Sequence, residues 1–313
     1  MALAFTFPGQ GSQAVGMGKA LADSFASARA VFDEVDEALG QKLSQLMWDG
    51  PIEEITLTEN AQPAIMAVSL AAMAALKSEF DVDVSTAKFV AGHSLGEYSA
   101  LCAAGALSVS DAAKLLKLRG QSMQKAVPVG QGAMAALLGA EMTQAEQAIA
   151  QAATSGIVTI ANDNAPGQIV ISGDKAAVDA AIAAIKEMGV RKAMLLPVSA
   201  PFHCPLMQPA ADAMAEALKD AQMSNPSVPV ITNVSAGPVS DAETLRAQLV
   251  DQVTGKVRWR ESVDAMHAAG VEQFVEAGAK VLTTMLKRHI KEAQGTALVT
   301  AEDLEAFAAS LKG

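Results

Sequence analysis

Apolar residues occur along this chain both in short runs and in helical repeats, and the two patterns together predict a mixed α/β fold. The run Leu3 to Phe7 leads into Pro8-Gly9-Gln10-Gly11, which predicts a buried strand followed by a glycine turn. Apolar positions then recur at steps of three and four from Leu21 to Leu39, which predicts one core-facing helix. The run Ala64 to Leu76 follows Pro63, a residue that the first turn of a helix tolerates, and predicts a second, buried helix.

A strand, a sharp turn and a helix are predicted again in the next part of the chain. The apolar segment Phe89 to Ala91 enters Gly92-His93-Ser94-Leu95-Gly96, and an alanine-rich helical stretch follows. Capping residues at Ser108 or Ser110 predict a further helix, which carries Arg119 near its middle.

The pattern changes to shorter units between residues 129 and 198. The units are predicted in the order β-α-β-β-α-β, which is the order of a ferredoxin-like unit. They are the strand Ala133 to Leu138, the helix Thr143 to Ala153, the strands Ile157 to Ala161 and Gln168 to Ser172, the helix Lys175 to Met188 and the strand Ala193 to Val198. Such a unit can close a small core, so we expect residues 129–198 to form a subdomain inserted into a catalytic domain of residues 1–128 and 199–313.

Composition limits the partners and the location. Of the 313 residues, 51% are hydrophobic and 4% are aromatic, which suits closely packed helices over a sheet. The net charge of −11 argues against binding to nucleic acid or to an anionic membrane, and an acidic protein partner would need a local basic patch. The longest apolar run is shorter than the roughly 20 residues that span a bilayer. We therefore expect no nucleic-acid partner and no membrane partner.

The two cysteines give no sign of a disulfide framework or of a metal site. Cys102 and Cys204 are not in a C-x-x-C spacing, and no histidine or cysteine spacing resembles a metal site. Cys204 is expected to be an inert thiol. The first residues lack a basic n-region, so a reducing, cytoplasmic location is expected.

The segment Gly92-x-Ser94-x-Gly96 matches the nucleophile elbow, in which a serine occupies a strained turn between a strand and a helix. The amino terminus of that helix also places backbone N–H groups where an oxyanion would develop. Because the pattern is short, a serine in an ordinary glycine turn is the alternative.

A serine nucleophile needs a base, and the chain has four histidines. His93 adjoins Ser94 and is expected to point away from it. His267 lies in a helical stretch and His289 in a basic run, so both are expected at the surface. His203 lies in a loop between two prolines after a strand, where catalytic residues are often held. His203 is the best of the four candidates, and a structural histidine is the alternative.

Three segments together resemble the signatures of the malonyl-CoA:acyl-carrier-protein transacylases. They are Phe7 to Gln13 (FPGQGSQ), Ala91 to Ala100 (AGHSLGEYSA) and Val198 to His203 (VSAPFH), and they occur in the family's order. Asn164 to Gln168 and Lys280 to Leu282 extend the likeness over nearly the whole chain. The resemblance implies an α/β-hydrolase-like core with a parallel sheet and a ferredoxin-like insert. It also implies transfer of a malonyl group from malonyl-CoA to the phosphopantetheine thiol of an acyl carrier protein.

The resemblance implies catalytic roles for the matching residues. Ser94 would attack the thioester while His203 takes its proton, and the backbone carbonyl of Gln252 would orient the imidazole. Backbone N–H groups of Gln10 and Leu95 would hold the oxyanion.

Binding roles follow from the same likeness. Arg119 would pair with the malonyl carboxylate, for which its planar fork is suited; without the likeness, a solvated helical arginine is the alternative. Phe202 and Asn164 would contribute to the substrate site, and Lys287 and Arg288 would dock an acidic carrier protein. A monomer without a metal or a prosthetic group is expected, with coenzyme A and phosphopantetheine as the carriers of the acyl group.

The chain departs from the family pattern at one turn. Where the family has glycine-proline-glycine after a glutamate, this chain has Glu276-Ala277-Gly278-Ala279-Lys280, which is one residue shorter. Three alternative functions stay open: a serine thioesterase or hydrolase on the same core, an acyltransferase with a different acyl-CoA preference, and a catalytically silent protein that binds carrier proteins.

Overall fold

Two β-sheets organise the chain in the computed structural model, which describes residues 2–312. The larger sheet has six strands, in the spatial order Gln294–Leu298 (β10), Val271–Ala277 (β9), Ala2–Phe7 (β1), Phe89–Gly92 (β2), Val230–Ile231 (β7) and Pro238–Val239 (β8). The first five strands pair in parallel, and β8 pairs with β7 in the antiparallel sense. The predicted α/β class with a parallel sheet is confirmed.

The smaller sheet is antiparallel. Its four strands lie in the spatial order Val158–Ala165 (β4), Gln168–Asp174 (β5), Gly132–Leu138 (β3) and Lys192–Leu195 (β6). Two helices, Met142–Ala152 (α8) and Lys175–Glu187 (α9), pack on this sheet and share a separate apolar core with it. The predicted element order β-α-β-β-α-β is confirmed.

Helices cover both faces of the larger sheet. Besides α8 and α9, the helices of residues 2–312 are Lys19–Ser24 (α1), Ala26–Leu39 (α2), Leu43–Asp49 (α3), Ile52–Thr56 (α4), Thr58–Phe80 (α5), Gly96–Ala103 (α6), Val109–Ala126 (α7), Gln208–Asp220 (α10), Ala242–Thr254 (α11), Trp259–Ala268 (α12), Leu282–His289 (α13) and Ala301–Ser310 (α14). In β1, Phe5 and Phe7 join the apolar core around α5, whereas Ala4 joins the core of α12 and α13 on the other side. This alternation follows from the two-residue repeat of a strand, and it explains why β1 reads as a continuous apolar run.

The first predicted helix is two helices. Leu21, Ala28 and Phe32 are buried, as their spacing predicts, but Phe25 has an extended backbone and separates α1 from α2. The apolar spacing continues across this single extended residue, so periodicity could not reveal the break.

The buried helix α5 begins earlier than its apolar residues indicate. It starts at Thr58, so Pro63 lies inside the helix and not in its first turn. The turn of α5 that comes before Pro63 holds the buried polar residues Asn60 and Gln62, and an apolar pattern does not include them. By length and composition α5 could cross a membrane, but 72% of its most apolar window is buried inside the protein, as in a core helix.

Candidate active site

Ser94 occupies the turn between β2 and α6 in a strained conformation. Its φ of 54° lies in the left-handed region, which non-glycine residues seldom adopt. A Cβ atom at Gly92 would lie 1.9 Å from the backbone of Gly96, and one at Gly96 would lie 2.2 Å from the carbonyl oxygen of Phe7. Both glycines are therefore needed for this turn to pack against β1, and the geometry is that of a nucleophile elbow.

Asn233 fixes this turn from the neighbouring strand. Its Oδ1 accepts a hydrogen bond from the backbone N–H of Ser94 at 2.7 Å, and its Nδ2 donates to the carbonyl of Gly92 at 2.6 Å. The sequence reasoning missed Asn233. The available signal was its place just after β7, because sites in parallel sheets form at the carboxyl ends of the strands.

Ser94, His203 and Gln252 form a hydrogen-bonded chain. Ser94 Oγ lies 2.7 Å from His203 Nε2, and His203 Nδ1 lies 2.9 Å from the backbone carbonyl of Gln252. A carbonyl oxygen only accepts, so Nδ1 carries the proton and Nε2 is free to receive one. Burial, and secondarily the charge of Arg119, lowers the pKa of His203 to about 3. The imidazole is thus neutral at pH 7 and able to act as a base.

Arg119 lies inside the protein beside the nucleophile. Only 1% of the residue is exposed, so the alternative of a solvated helical arginine is wrong. Its Nη2 donates to Ser94 Oγ at 3.2 Å and to Gln252 Oε1 at 2.9 Å, and its Nη1 donates to Gln62 Oε1 at 2.8 Å. These acceptors are neutral, and no carboxylate of residues 2–312 lies within ion-pair distance of the guanidinium. A substrate carboxylate would supply the missing partner of this buried cation.

A cavity of about 370 Å³ opens at Ser94 between the two sheets. Its volume lies in the range of small-molecule sites. Phe202 is among its apolar lining residues, which come from both sheets and their connections: Met123, Met134, Val170, Leu196, Phe202 and Met285. The cavity therefore joins a polar end at Ser94 to an apolar wall.

Asn164 meets His93 across this cavity. Asn164 belongs to β4 of the smaller sheet, and its Oδ1 lies 2.8 Å from Nε2 of His93. His93 therefore contacts Asn164 and not Ser94. Burial lowers the pKa of His93, which keeps it neutral. The pair places polar groups from both sheets on the cavity wall.

Gln10 and Leu95 also line the cavity. Gln10 follows β1, and Leu95 follows Ser94 at the amino terminus of α6. Neither backbone N–H has a hydrogen-bond acceptor among residues 2–312. A Cβ atom at Gly9 would lie 2.8 Å from His93, so the glycine allows the β1 turn to approach the elbow closely. Both N–H groups are thus available, and their role in an oxyanion hole stays a prediction.

Lys287 and Arg288 are neighbours on α13, and their role in docking a carrier stays a prediction. Both are exposed on α13. Lys287 lines a separate surface cavity of about 530 Å³. Val281 and Met285 line the active-site cavity, and Arg288 continues their face of the helix, three residues beyond Met285.

The shortened turn before α13 is held by Glu276. This buried carboxylate accepts hydrogen bonds at 2.8 Å from the backbone N–H groups of Val281 and Thr283, and at 2.9 Å from the Thr283 hydroxyl. The turn therefore retains a firm anchor for the amino terminus of α13.

The remaining candidates lie outside this arrangement. Cys204 is buried, its Sγ donates to the carbonyl of Pro201 at 3.0 Å, and burial raises the pKa of the thiol, as suits an inert cysteine. His267 and His289 are half-buried, not fully at the surface, and they contact the carbonyl of Val271 and the carboxylate of Asp264. Among residues 2–312 no group of three or more histidine, cysteine, aspartate or glutamate side chains is placed to hold a metal ion.

Sequence reasoning also missed two polar side chains that support the site. Gln62 accepts from Arg119, and Glu97 lies fully buried in the first turn of α6. Glu97 Oε2 accepts from Gln252 Nε2 at 3.0 Å and from the backbone N–H of Asn233 at 2.9 Å. A carboxylate beside the apolar helix of the elbow was the available signal, since charged residues are seldom fully buried.

Known proteins resemble this chain over its whole length. A family model described as an acyl transferase domain matches residues 4–304. The chain is 44% identical to the malonyl CoA-acyl carrier protein transacylase of Bacillus subtilis (strain 168) over 312 residues, covering 99% of this chain and 97% of that protein.

Solved structures have the same fold as this chain. An acyl-carrier-protein-S-malonyltransferase from Bartonella henselae superposes with a TM-score of 0.98 at 51% identity, covering 100% of both chains. A malonyl-transacylase in complex with a type II PKS acyl-carrier protein matches with a TM-score of 0.95 at 38% identity, covering 99% of this chain and 100% of that one. These matches confirm the predicted α/β-hydrolase-like core with a small subdomain. Together with the family match, they show that the chain belongs to the acyl transferase family, among the malonyl CoA-acyl carrier protein transacylases.

Proposed function

We propose that this protein transfers the malonyl group of malonyl-CoA to the phosphopantetheine thiol of an acyl carrier protein through a malonyl-serine intermediate. The observation that carries the proposal is the contact between Arg119 and Ser94. A buried cation beside the nucleophile favours an acyl group that bears its own carboxylate, which malonyl does and acetyl does not. The family relationship supports the same substrate class.

The first half of the reaction acylates the serine. Ser94 Oγ attacks the thioester carbonyl carbon while His203 Nε2 takes the hydroxyl proton, and the N–H groups of Gln10 and Leu95 stabilise the oxyanion. The new C–O bond forms, the C–S bond breaks, and the thiolate of coenzyme A leaves with the proton from His203. Throughout this step the carbonyl of Gln252 keeps the imidazole in the required tautomer.

The second half of the reaction passes the acyl group to the carrier. The phosphopantetheine thiol gives its proton to His203 and attacks the malonyl-serine. The C–O bond breaks, and Ser94 regains the proton from His203. The proposal also includes Asn164 and Phe202 on the cavity wall as contacts of the substrate.

The proposed reaction requires no metal and no prosthetic group, because the side chains named above supply the base, the charge and the nucleophile. We infer that Arg288, on the face of α13 that reaches the cavity, contributes to docking of an acidic carrier. The monomeric state and the cytoplasmic location stay predictions.

Intact-protein mass spectrometry tests the proposal directly. After mixing with malonyl-CoA, the protein should gain one malonyl group, peptide mapping should place it on Ser94, and added carrier protein should remove it. The matched control is Ser94→Ala, which should stay unmodified. Absence of the adduct, or transfer by the alanine variant, would contradict the mechanism. Release of free malonate without transfer to the thiol would instead identify a hydrolase.

A further inference from the structure

The charge of Arg119 is balanced by a carboxylate that it reaches through one bridging side chain. Its Nη2 donates to Gln252 Oε1 at 2.9 Å, and Gln252 Nε2 donates to Glu97 Oε2 at 3.0 Å. Glu97 is 0% exposed, so a buried cation and a buried carboxylate are joined through a single carboxamide. Two buried charges of opposite sign stabilise each other because water screens them weakly.

Glu97 also supports the groups that hold the reacting atoms. Its Oε2 accepts from the backbone N–H of Asn233 at 2.9 Å, and Asn233 in turn fixes the turn of Ser94. Its second partner, Gln252, donates from Nε2 to the backbone carbonyl of Ser94 at 3.0 Å and carries the carbonyl that orients His203. One carboxylate oxygen therefore contacts the supports of the nucleophile, the base and the guanidinium.

The other oxygen of this carboxylate is unusual. Glu97 Oε1 is buried and has no hydrogen-bond partner among residues 2–312. An ionised carboxylate with a bare buried oxygen is costly, whereas a protonated carboxyl group carries no charge and is less costly to bury. The geometry therefore suits a group that changes between the two forms.

We propose that Glu97 is a positioning residue that acts through Gln252 as the buried counter-charge of Arg119, and that it takes up one proton when a substrate carboxylate pairs with the guanidinium. This inference rests on the proposed function, since the malonyl carboxylate is that substrate group. The incoming anion replaces Glu97 as the partner of the cation, and the proton comes from solvent. The net charge of the buried cluster is then the same before and after binding.

The groups around Glu97 favour uptake of a proton, and not its release, when substrate binds. Burial raises the pKa of Glu97 to about 7, while the hydrogen bonds from Asn233 and Gln252 and the charge of Arg119 oppose the rise. When a substrate anion compensates Arg119, that opposition weakens and the pKa of Glu97 rises further.

Other titratable groups near Glu97 do not account for such a proton. Tyr98, on the same helix, has a pKa raised to about 12 by burial and stays neutral. His203, in the loop after β6, has a pKa of about 3 and also stays neutral near pH 7. Arg119 on α7 is the charged group, and Asn233 after β7 and Gln252 on α11 do not titrate.

Calorimetry can count the proton. Malonyl-CoA is titrated into the Ser94→Ala protein, which cannot be acylated, in buffers of different ionisation enthalpy. Acetyl-CoA is the matched ligand without the carboxylate, and it cancels the titration of the coenzyme A phosphates. We expect uptake that approaches one proton per malonyl-CoA near about pH 8 and vanishes near about pH 5, where Glu97 is already protonated. Malonyl-CoA affinity should accordingly fall by up to about tenfold per pH unit above about pH 7.

Glu97→Gln in the Ser94→Ala background separates charge from hydrogen bonding. Both hydrogen bonds to Glu97 end on one oxygen, so the single amide oxygen of the substitution can accept both while the charge is lost. We expect this double variant to bind malonyl-CoA with no proton uptake and with an affinity that no longer depends on pH. A role in packing alone would leave the proton count unchanged.

The outcomes keep this inference apart from the proposed function. Binding of malonyl-CoA to Ser94→Ala without proton uptake would overturn the inference, as would uptake that survives Glu97→Gln. If the double variant did not fold, the proton count of Ser94→Ala alone would decide. Equal affinity of Ser94→Ala for malonyl-CoA and acetyl-CoA would show instead that Arg119 recognises no carboxylate, and the proposed function itself would then fail.

Discussion

The guanidinium of Arg119 contacts the hydroxyl of Ser94, with Nη2 3.2 Å from Oγ. In a malonyl thioester, a single methylene group separates the carboxylate from the carbonyl carbon that is attacked. A cation that binds the carboxylate must therefore lie within a few bond lengths of the nucleophile, and Arg119 does. In the proposed reaction this contact positions the substrate as well as selecting it.

Arg119→Ala should remove the preference for malonyl. The loss of a charge-assisted contact is expected to cost about 3 kcal/mol, or roughly 100-fold in kcat/KM for malonyl-CoA. Hydrolysis or transfer of a neutral acyl-CoA should be unchanged or improved, because a neutral acyl group makes no ion pair. Steady-state assays with malonyl-CoA and acetyl-CoA check this. Equal losses on both substrates would mean that Arg119 serves the fold only.

Arg119→Lys is the conservative companion of that variant. Lysine keeps the charge but loses the planar fork, whose Nη1 contacts Gln62 and whose Nη2 contacts Ser94 and Gln252. We expect malonyl transfer intermediate between the wild type and Arg119→Ala. Full activity of the lysine variant would show that charge alone suffices.

The rate of Ser94 modification should fall only at a pH far below the usual pKa range of histidine. Protonation of His203 removes the base, and its pKa is lowered to about 3. The rate at which an uncharged sulfonyl fluoride modifies Ser94 should therefore be flat from about pH 8 to pH 5 and fall only near the pKa of His203. An inflection near pH 6.5 would contradict the buried, neutral imidazole.

The same shift predicts a dependence of stability on pH. An unfolded histidine binds a proton below about pH 6.5, whereas folded His203 does not until about pH 3. The unfolded state is therefore favoured as the pH falls through this window, and the free energy of unfolding decreases. At pH 5 the loss is about 2 kcal/mol. Urea unfolding at pH 7 and pH 5 should show a smaller loss for His203→Gln than for the wild type. Equal losses would rule out the shift.

Asn233→Ala should weaken both the fold and the site. The change leaves the N–H of Ser94 and the carbonyl of Gly92 without their partner, at a cost of about 2–4 kcal/mol in the free energy of unfolding. The matched control is Asn225→Ala, which removes an exposed asparagine that accepts from the N–H of Ala242 and should cost less than about 1 kcal/mol. Urea unfolding measures both. Similar values for the two variants would contradict the role of Asn233 at the elbow.

Charge reversal on α13 can locate the carrier surface. Arg288→Glu should raise the KM for the carrier protein by roughly 3- to 10-fold at low salt, with the KM for malonyl-CoA less affected. Lys287→Glu, which makes the same kind of change one residue earlier, on the side of the helix that lines the separate surface cavity, should have a smaller effect. Added salt should reduce the difference between Arg288→Glu and the wild type. Equal effects of the two reversals would show that the faces of α13 do not matter.

The sequence alone could not place the helix boundaries of α2 and α5. The start of α2 depends on the extended backbone of Phe25, which fits the apolar repeat of a helix. The start of α5 depends on a buried polar turn before Pro63, which the apolar repeat does not include. The site shows the same limit, because Asn233 and Glu97 act through partners that are 136 or more residues away along the chain. No local pattern reports such partners.

Local constraints determined what could be known from the sequence: the glycines of the elbow, the strand that precedes it, and the order of the elements in the smaller sheet. These follow from backbone sterics and from the repeats of helices and strands, which act over a few neighbouring residues. Tertiary packing alone decided that Arg119 is buried beside Ser94, that Gln252 bridges Arg119 and Glu97, and that Lys287 lines a surface cavity separate from the active site. Those facts depend on which distant surfaces meet, and burial then sets the charges and the pKa values that the chemistry uses.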